Sequence, residues 1–250
     1  MLSVVTITFN NFEELEKTVA SVQGLQIEHI IINGGKCERT KDYLSKFEGI
    51  SVSESDQGIS DAFNKGIRMS TGKGIVFLNS GDLLIDKNYF TWAEKTLEEV
   101  DFVYSDVHFE DEIAGKLRIK PSGKPLGRGM PFPHQTMIVR RELFTELGAF
   151  DLGYKRAMCF EFACRLIRAG KSSRYYPEPT VLQDGTGISV TQEAHTLRES
   201  RRAMAAHGLY GLENRLYFAQ RKALFYARRG LIRLGLRSIL ATLKRIKRRN

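Results

Sequence analysis

The carboxylate of Asp82 follows directly on an apolar run in the segment FLNSGDLLID, which spans Phe77–Asp86. Asn, Ser, Gly and Asp are common turn residues, so a turn is the simplest interpretation of this position. A second interpretation is a binding site, because open α/β sheets hold their ligands at the carboxyl ends of their strands. Other features of the sequence distinguish the two interpretations.

Polar side chains also stand at the ends of three other predicted strands. These strand-end residues are Thr8 and Asn10 after the first strand, Asn33 after the second, Glu54 and Asp56 after the third, and Asn79 and Asp82 after the fourth. Each residue alone is more commonly a turn or cap residue than a ligand. Because the carboxyl ends of parallel strands share one edge of a sheet, four such segments together favour a site.

An alternation of strands and helices must position these side chains. β-Branched and apolar runs predict strands over residues 3–9, 28–33, 50–55 and 74–79, separated by helices over 12–25, 41–47 and 60–70, with another over 88–99. This order predicts an α/β fold with a Rossmann-like, mostly parallel sheet flanked by helices.

The second half of the chain is less regular. Residues 101–110 alternate like a half-exposed strand, and the Pro- and Gly-rich stretch 116–132 predicts a loop that crosses the active face. Residues 134–151 predict a strand and a short helix, and residues 160–170 predict a helix closed by Gly170. From about residue 190 the pattern is helical to the end.

Composition points to a cytosolic protein. Three cysteines, Cys37, Cys159 and Cys164, form no C-x-x-C pair, which suits a reducing compartment better than a disulfide framework. The first residues show no basic leader, and no apolar stretch reaches the ~18 residues of a membrane span. We therefore expect neither a signal peptide nor a transmembrane helix.

Phosphate-binding motifs rich in glycine are missing from the sequence. No G-x-G-x-x-G follows the first strand and no Walker loop is present, so a dinucleotide dehydrogenase or a P-loop enzyme has little support. Phosphates at this sheet would need another counter-charge. A divalent cation, Mn²⁺ or Mg²⁺, on Asp82 would provide it, with a substrate diphosphate supplying further oxygen ligands.

Several motifs together resemble family-2 glycosyltransferases, within them the bacterial enzymes of colanic-acid-type exopolysaccharide synthesis. The motifs are SESDQGISDAFNKGI (53–67), GIVFLNSGD (74–82), PHQTMIVRRELF (133–144) and GTGIS (185–189). The resemblance spans roughly residues 3–190 and is strongest over 53–82. It implies a GT-A fold, a nucleotide-diphosphate sugar donor such as a UDP- or GDP-sugar, a divalent metal, and inversion at the anomeric carbon.

The resemblance also implies roles for individual residues. Asp82 takes the position of the metal-binding acid, beside Asn79. Three residues fall where the family holds the nucleoside: Thr8, Asn10 and Asn33. Four fall in the segment that contacts the donor: Glu54, Asp56, Asp61 and Lys65. A further pair, His134 and Gln135, matches residues close to the donor sugar and acceptor.

Two departures from the family pattern affect these expectations. Asn33 replaces the usual Asp at the end of the second strand, and KCERT (36–40) replaces the usual Ser-x-Asp-Gly-Thr. Cys159 stands six residues before Arg165, where the family has the Asp commonly taken as the catalytic base. A neutral thiol is a poor base, so Glu161 is the candidate base, with an i, i+4 ion pair to Arg165 as its alternative role. Cys159 itself is expected to be a packed residue.

The basic residues are concentrated at the end of the chain. Twelve Lys/Arg and no acid follow residue 213. The formal charge of this last segment therefore exceeds the formal net charge of the whole protein, which is +9. From Arg228 onward basic residues (229, 233, 237, 244, 248) follow one helical face and apolar residues (232, 236, 239, 243, 246) the neighbouring face. Such a helix suits an anionic membrane surface. The alternatives are a helix packed on the catalytic domain with a solvated basic face and, last, nucleic-acid binding, which nothing in the sheet supports.

The sequence therefore predicts a GT-A glycosyltransferase domain over residues 1–190 and a helical extension over 191–250, basic and amphipathic from about residue 214. The predicted function is inverting, metal-dependent transfer of a sugar to a saccharide acceptor, expected to be lipid-linked, in bacterial surface polysaccharide synthesis. The protein would work in the cytoplasm, peripherally on the inner face of the cytoplasmic membrane. The alternative is a catalytically weak relative that binds nucleotide sugar or partners without turnover.

Overall fold

The computed structural model describes residues 1–111, 115–121, 130–183 and 193–233. Within these ranges the strands are β1 (Leu2–Thr8), β2 (Ile27–Asn33), β3 (Ile50–Ser53), β4 (Gly74–Phe77), β5 (Leu83–Leu84), β6 (Phe102–Asp111), β7 (Gly115–Ile119), β8 (Ile138–Arg140) and β9 (Ser173–Gln183). The helices are α1 (Phe12–Val22), α2 (Glu38–Leu44), α3 (Ile59–Met69), α4 (Asn88–Thr96), α5 (Glu142–Glu146), α6 (Met158–Arg168), α7 (Glu193–Ala206) and α8 (Leu212–Arg233).

The strands form one mixed sheet in the order β3-β2-β1-β4-β8-β6-β9-β5, with β7 paired to β6. The first four strands are parallel, with Val5 of β1 opposite Ile30 on one side and Phe77 on the other. β8 runs antiparallel between β4 and β6, and β9 is parallel to β6. The predicted α/β fold with helices flanking a mostly parallel sheet is confirmed.

Apolar side chains cover both faces of this sheet. Neighbouring residues on one strand point to opposite faces, so Val4 and Val76 pack in one buried cluster while Val5 and Phe77 pack in another. Helix α3 lies very close to β1: a Cβ on Gly66 would be 2.3 Å from Val5 Cγ1. This two-sided burial explains why these strands read as continuous apolar runs.

Three features of the second half differ from the sequence expectation. β6 is not half-exposed, because it lies between β8 and β9 and buries Val103 and Val107. The stretch predicted as a loop over 116–132 begins as β7, which pairs antiparallel with β6. β9 was not predicted, because Pro177 and Pro179 argue against a strand; they are accommodated where its register with β6 is irregular.

The C-terminal helices pack on the rest of the protein. Ala203 of α7 and Phe218 of α8 belong to the same buried cluster as Phe160 of α6. The Glu199 carboxylate of α7 accepts hydrogen bonds from the backbone N–H groups of residues 155–157 at the N-terminus of α6, at 2.7–3.1 Å. A carboxylate at this end of a helix is electrostatically favourable.

Some predicted features lie outside the described residues. These are the GTGIS motif, the domain boundary at residues 190/191, and the basic tail beyond residue 233. Among the helices that are described, none is long and apolar enough to cross a membrane.

Candidate active site

The segment that holds Asp82 is both a turn and part of a cavity wall. The Asp82 N–H donates to the Asn79 carbonyl at 2.9 Å, and the Asp82 carboxylate accepts from the Asn79 N–H at 3.2 Å. Gly81 has a φ of 103°, which a residue with a side chain rarely adopts, and its N–H donates to Thr18 Oγ1. Asp82 is only 4% exposed, yet it lines a cavity of about 430 Å³.

Asn79 contributes a second oxygen-bearing side chain to the wall that holds Asp82. Its side-chain Oδ1 is buried and has no hydrogen-bond partner, and the residue lines the same cavity as Asp82. A buried acceptor without a partner is unfavourable unless a ligand or solvent completes it. An amide oxygen next to a carboxylate is a donor set that suits Mg²⁺ or Mn²⁺.

The described residues offer few ligands for such a cation. The described part of the chain holds no group of three or more His, Cys, Asp or Glu side chains arranged to bind a metal. Asp82 and Asn79 would therefore supply only two oxygens. A hard cation accepts this arrangement when a substrate diphosphate and water supply the others.

The residues predicted to hold the nucleoside meet at the carboxyl ends of β1 and β2, but mostly bind the protein itself. Thr8 Oγ1 donates to Asn11 Oδ1 at 2.7 Å. Asn10, with a left-handed φ of 56°, accepts at Oδ1 from the N–H groups of residues 36 and 37. Asn33 is fully buried, accepts from the Gly35 N–H and donates to Ser53 Oγ at 2.7 Å. These contacts favour a role in holding the strand ends together over direct contact of the three side chains with a nucleobase.

The predicted donor segment after β3 forms a compact charge cluster. Lys65 Nζ lies 2.8 Å from Glu54 Oε1 and 3.8 Å from Asp61 Oδ2, and it donates to the Ser55 carbonyl. Asp56 accepts from the Gly58 N–H at 2.8 Å. A Cβ at Gly34 would lie 1.9 Å from Asp56 Oδ2, so glycine is required for this carboxylate to reach the end of β2.

The predicted site residues other than Glu161 therefore fall into two groups. Asn79, Asp82, His134, Gln135 and Cys159 line the cavity. A polar cluster at the ends of β1, β2 and β3 and the start of α3 does not line it: Thr8, Asn10, Asn33, Glu54, Asp56, Asp61 and Lys65. The sequence indicated one shared edge, and the structure divides the residues at that edge between this polar cluster and the wall of a more apolar cavity.

Two titratable groups in the cavity wall have pKa values far from their usual range. Burial lowers the pKa of His134 to about 4, so its imidazole is neutral at neutral pH. Burial raises the pKa of the Cys159 thiol to about 12. A thiol that stays protonated is neither a base nor a nucleophile, which agrees with the expectation that Cys159 is a packed residue.

Glu161 points away from the cavity. Side chains two residues apart on a helix are separated by about 200°, so Glu161 faces the opposite side of α6 from Cys159. Its Oε2 lies 2.7 Å from Arg165 Nη2, and its Oε1 lies 2.8 Å from His207 Nε2. Glu161 is buried and is not among the residues that line the cavity. This geometry favours the ion-pair alternative over the role of catalytic base.

The far wall of the cavity comes from the C-terminal helices, which the sequence did not identify residue by residue. The lining residues from these helices are Thr196, Leu197, Ser200, Tyr217, Phe218 and Arg221. Arg156, just before α6, and Lys120, just after β7, add two further basic residues to the cavity lining. No motif marks these positions, since their placement depends on how α7 and α8 pack on α6.

Comparisons with known proteins agree on the family. The sequence model described as Glycosyl transferase family 2 matches residues 3–163. An uncharacterized glycosyltransferase of Mycobacterium tuberculosis is 32% identical over 177 residues, covering 66% of this chain and 68% of that protein. A PGL/p-HBAD biosynthesis glycosyltransferase of Mycobacterium bovis is 27% identical over 151 residues, covering 55% of this chain and 57% of that protein.

Solved structures show the same fold. Staphylococcus aureus TarS (residues 1–349) in complex with UDP-GlcNAc has a TM-score of 0.64 at 14% identity, covering 82% of this chain and 65% of that one. The mannosyltransferase PcManGT from Pyrobaculum calidifontis, in complex with GDP-Man and Mn²⁺, has a TM-score of 0.60 at 15% identity, covering 98% of this chain and 79% of that one. At these identities the likeness is one of fold.

Proposed function

Because the chain belongs to glycosyl transferase family 2, we propose that it transfers a sugar from a nucleotide-diphosphate donor to a saccharide acceptor, with inversion at the anomeric carbon. The observation that carries this proposal is that Asp82 and Asn79, whose Oδ1 has no hydrogen-bond partner, line the wall of the same cavity. They follow the end of a sheet strand, where open α/β sheets hold their ligands.

Asp82 and Asn79 would hold a divalent cation, Mn²⁺ or Mg²⁺, which when bound stabilises negative charge on a leaving diphosphate. The polar cluster that includes Asn10, Asn33 and Asp56 would hold the nucleoside of a UDP- or GDP-sugar through backbone groups and the remaining side-chain atoms. The reacting carbon would then lie at the mouth of the cavity, where His134 and Gln135 would orient the donor sugar and the acceptor.

The acceptor hydroxyl must lose a proton as it attacks the anomeric carbon. Glu161, the candidate from the sequence, would have to leave both Arg165 and His207 to reach it. His134 offers an alternative, since it lines the cavity and its imidazole is neutral at neutral pH. Asp82 is the single carboxylate among the described lining residues, and we assign it to the diphosphate side.

The cavity suits an acceptor with apolar and polar parts. Phe132, Met158, Leu197 and Phe218 contribute apolar surface, while Arg156 contributes a cation. A lipid-linked saccharide at the inner face of the cytoplasmic membrane has this character. The participation of the Mycobacterium bovis relative in PGL/p-HBAD biosynthesis supports a role in making a cell-surface glycan.

The second candidate is a relative that binds nucleotide sugar with little or no turnover. It is favoured by one observation: Cys159 occupies the position of the usual acid, and the nearby Glu161 is held in an ion pair. A turnover assay with a panel of UDP- and GDP-sugars and Mn²⁺ separates the two. The transferase requires measurable release of nucleoside diphosphate, lost in Asp82→Asn and retained in Asp42→Asn, an exposed acid on α2; donor binding without any release supports the second candidate.

A further inference from the structure

Helix α8 carries an exposed apolar face that no described residue covers. This outer face consists of Leu212, Leu216, Ala219, Ala223 and Tyr226, spaced alternately four and three residues apart, so the side chains share one side of the helix. Leu212, Leu216 and Tyr226 are 73%, 64% and 59% exposed. An apolar surface of this kind on a folded protein commonly marks an interaction site.

The opposite side of the same helix is occupied. Tyr217, Phe218 and Arg221 line the cavity, and Phe218 is buried in the core cluster. Helix α8 is therefore fixed to the catalytic part of the protein by its inner side. The exposure of the outer face is a feature of this packed helix.

Basic side chains border the outer face. Arg215 and Lys222 are exposed and lie along one edge of it. Glu213 is the one acid of α8, and none follows it in the sequence. Positive charge beside exposed leucines selects a partner that is apolar inside and anionic at its surface, which is the chemistry of an anionic lipid bilayer.

We propose that the outer face of α8 docks the protein on an anionic membrane surface, with the leucines entering the acyl boundary and Arg215 and Lys222 lying among the headgroups. This surface begins at Leu212, whereas the basic and apolar helical faces identified in the sequence begin at Arg228. Because the inner side of α8 is a wall of the cavity, docking holds the cavity beside the headgroups. This position would give the cavity access to a lipid-linked acceptor, and only that consequence rests on the proposed function.

The test measures partition of the full-length protein between buffer and sedimented vesicles. One vesicle type is phosphatidylcholine alone, and the other contains one part phosphatidylglycerol to two parts phosphatidylcholine. The outer-face variant is Leu212→Glu/Leu216→Glu. Its matched control is Ile85→Glu/Leu152→Glu, which adds the same charge at two exposed apolar residues away from α8.

We expect the wild type to prefer the anionic vesicles. The outer-face variant should lose about tenfold or more in partition, and the control should stay within about twofold of wild type. Arg215→Gln/Lys222→Gln should lose about thirtyfold on the anionic vesicles, since each of the two cations contributes about 1 kcal/mol there, and change little on the neutral ones. Nucleotide-sugar hydrolysis in buffer should be unchanged in the outer-face variant, which shows that it folds.

Two results would overturn the docking proposal. One is equal partition of the outer-face variant and its control. The other is a wild-type dimer that becomes monomeric in Leu212→Glu/Leu216→Glu, because the face would then be covered by a second copy. Vesicle binding as expected, with no turnover of any donor, would leave the docking proposal intact and refute the proposed transfer reaction.

Discussion

Replacing Glu161 by Gln separates the two roles that this residue could have. In the structure its carboxylate is buried and contacts Arg165 and His207, so the change removes the negative charge that faces the Arg165 guanidinium and alters the contact with His207. Removing one member of a buried ion pair costs about 3–5 kcal/mol. Gln keeps an accepting oxygen, and Arg165 still donates to three carbonyls in residues 147–149 at 2.6–2.9 Å. We therefore expect a smaller loss, about 2 kcal/mol.

In a chain of this length, 1 kcal/mol shifts the melting temperature by about 2–4 °C, so Glu161→Gln should melt about 4–8 °C lower. Turnover below that temperature should stay within about threefold of wild type, because the residue does not line the cavity. Glu142→Gln is the control, since Glu142 forms an exposed ion pair with Arg140 and should shift melting by less than about 2 °C. An unchanged melting temperature with a hundredfold loss of turnover would refute this reasoning and identify Glu161 as the base.

Two further predictions concern other titratable groups. Burial lowers the pKa of His29 to about 4, and its Nε2 contacts Thr6 Oγ1 at 2.9 Å. In the unfolded chain the His29 pKa is about 6.5, so the free energy of unfolding should be highest above that pH and fall by up to about 3 kcal/mol as the pH drops towards 4. Urea unfolding at several pH values should show this loss in wild type and a smaller loss in His29→Gln. Equal losses in the two proteins would contradict the prediction. Cys159→Ala should keep wild-type turnover, and the wild type should remain active after treatment with a thiol-alkylating reagent, because burial raises the pKa of the Cys159 thiol to about 12; loss of turnover in Cys159→Ala at an unchanged melting temperature would show that the sulfur acts in the reaction.

The parallel half of the sheet could be predicted because its residues leave little choice. Neighbouring residues of β1 and β4 face opposite sides of the sheet and are all apolar, as expected of strands covered on both faces; examples are Val4 and Val5 in β1 and Val76 and Phe77 in β4. The polar residues after each strand then had to share an edge. The family resemblance and this local reasoning led to the same place, the end of β4 at Asp82.

What the sequence could not provide is side-chain direction and helix docking. Cys159 and Glu161 are two residues apart, and only the packing of α6 decides which of them faces the cavity. Asn33 falls where the family holds the nucleoside, and only the structure shows that its amide group also binds the Gly35 N–H and the Ser53 hydroxyl. The cavity wall from Tyr217 and Phe218 depends on contacts between distant segments, which no local pattern encodes.

The central claim is that the end of β4 binds the diphosphate side of a nucleotide sugar through Asp82 and Asn79. Calorimetric titration of UDP-GlcNAc and GDP-mannose, with and without Mn²⁺, tests it on wild type, Asp82→Asn and the exposed control Asp42→Asn. Asp82→Asn keeps an oxygen that can accept from the Asn79 N–H, so the turn should survive. We predict that one donor binds wild type and the control only with Mn²⁺, and that Asp82→Asn binds it at least about tenfold more weakly. Equal, Mn²⁺-dependent affinity of Asp82→Asn and wild type would contradict the account.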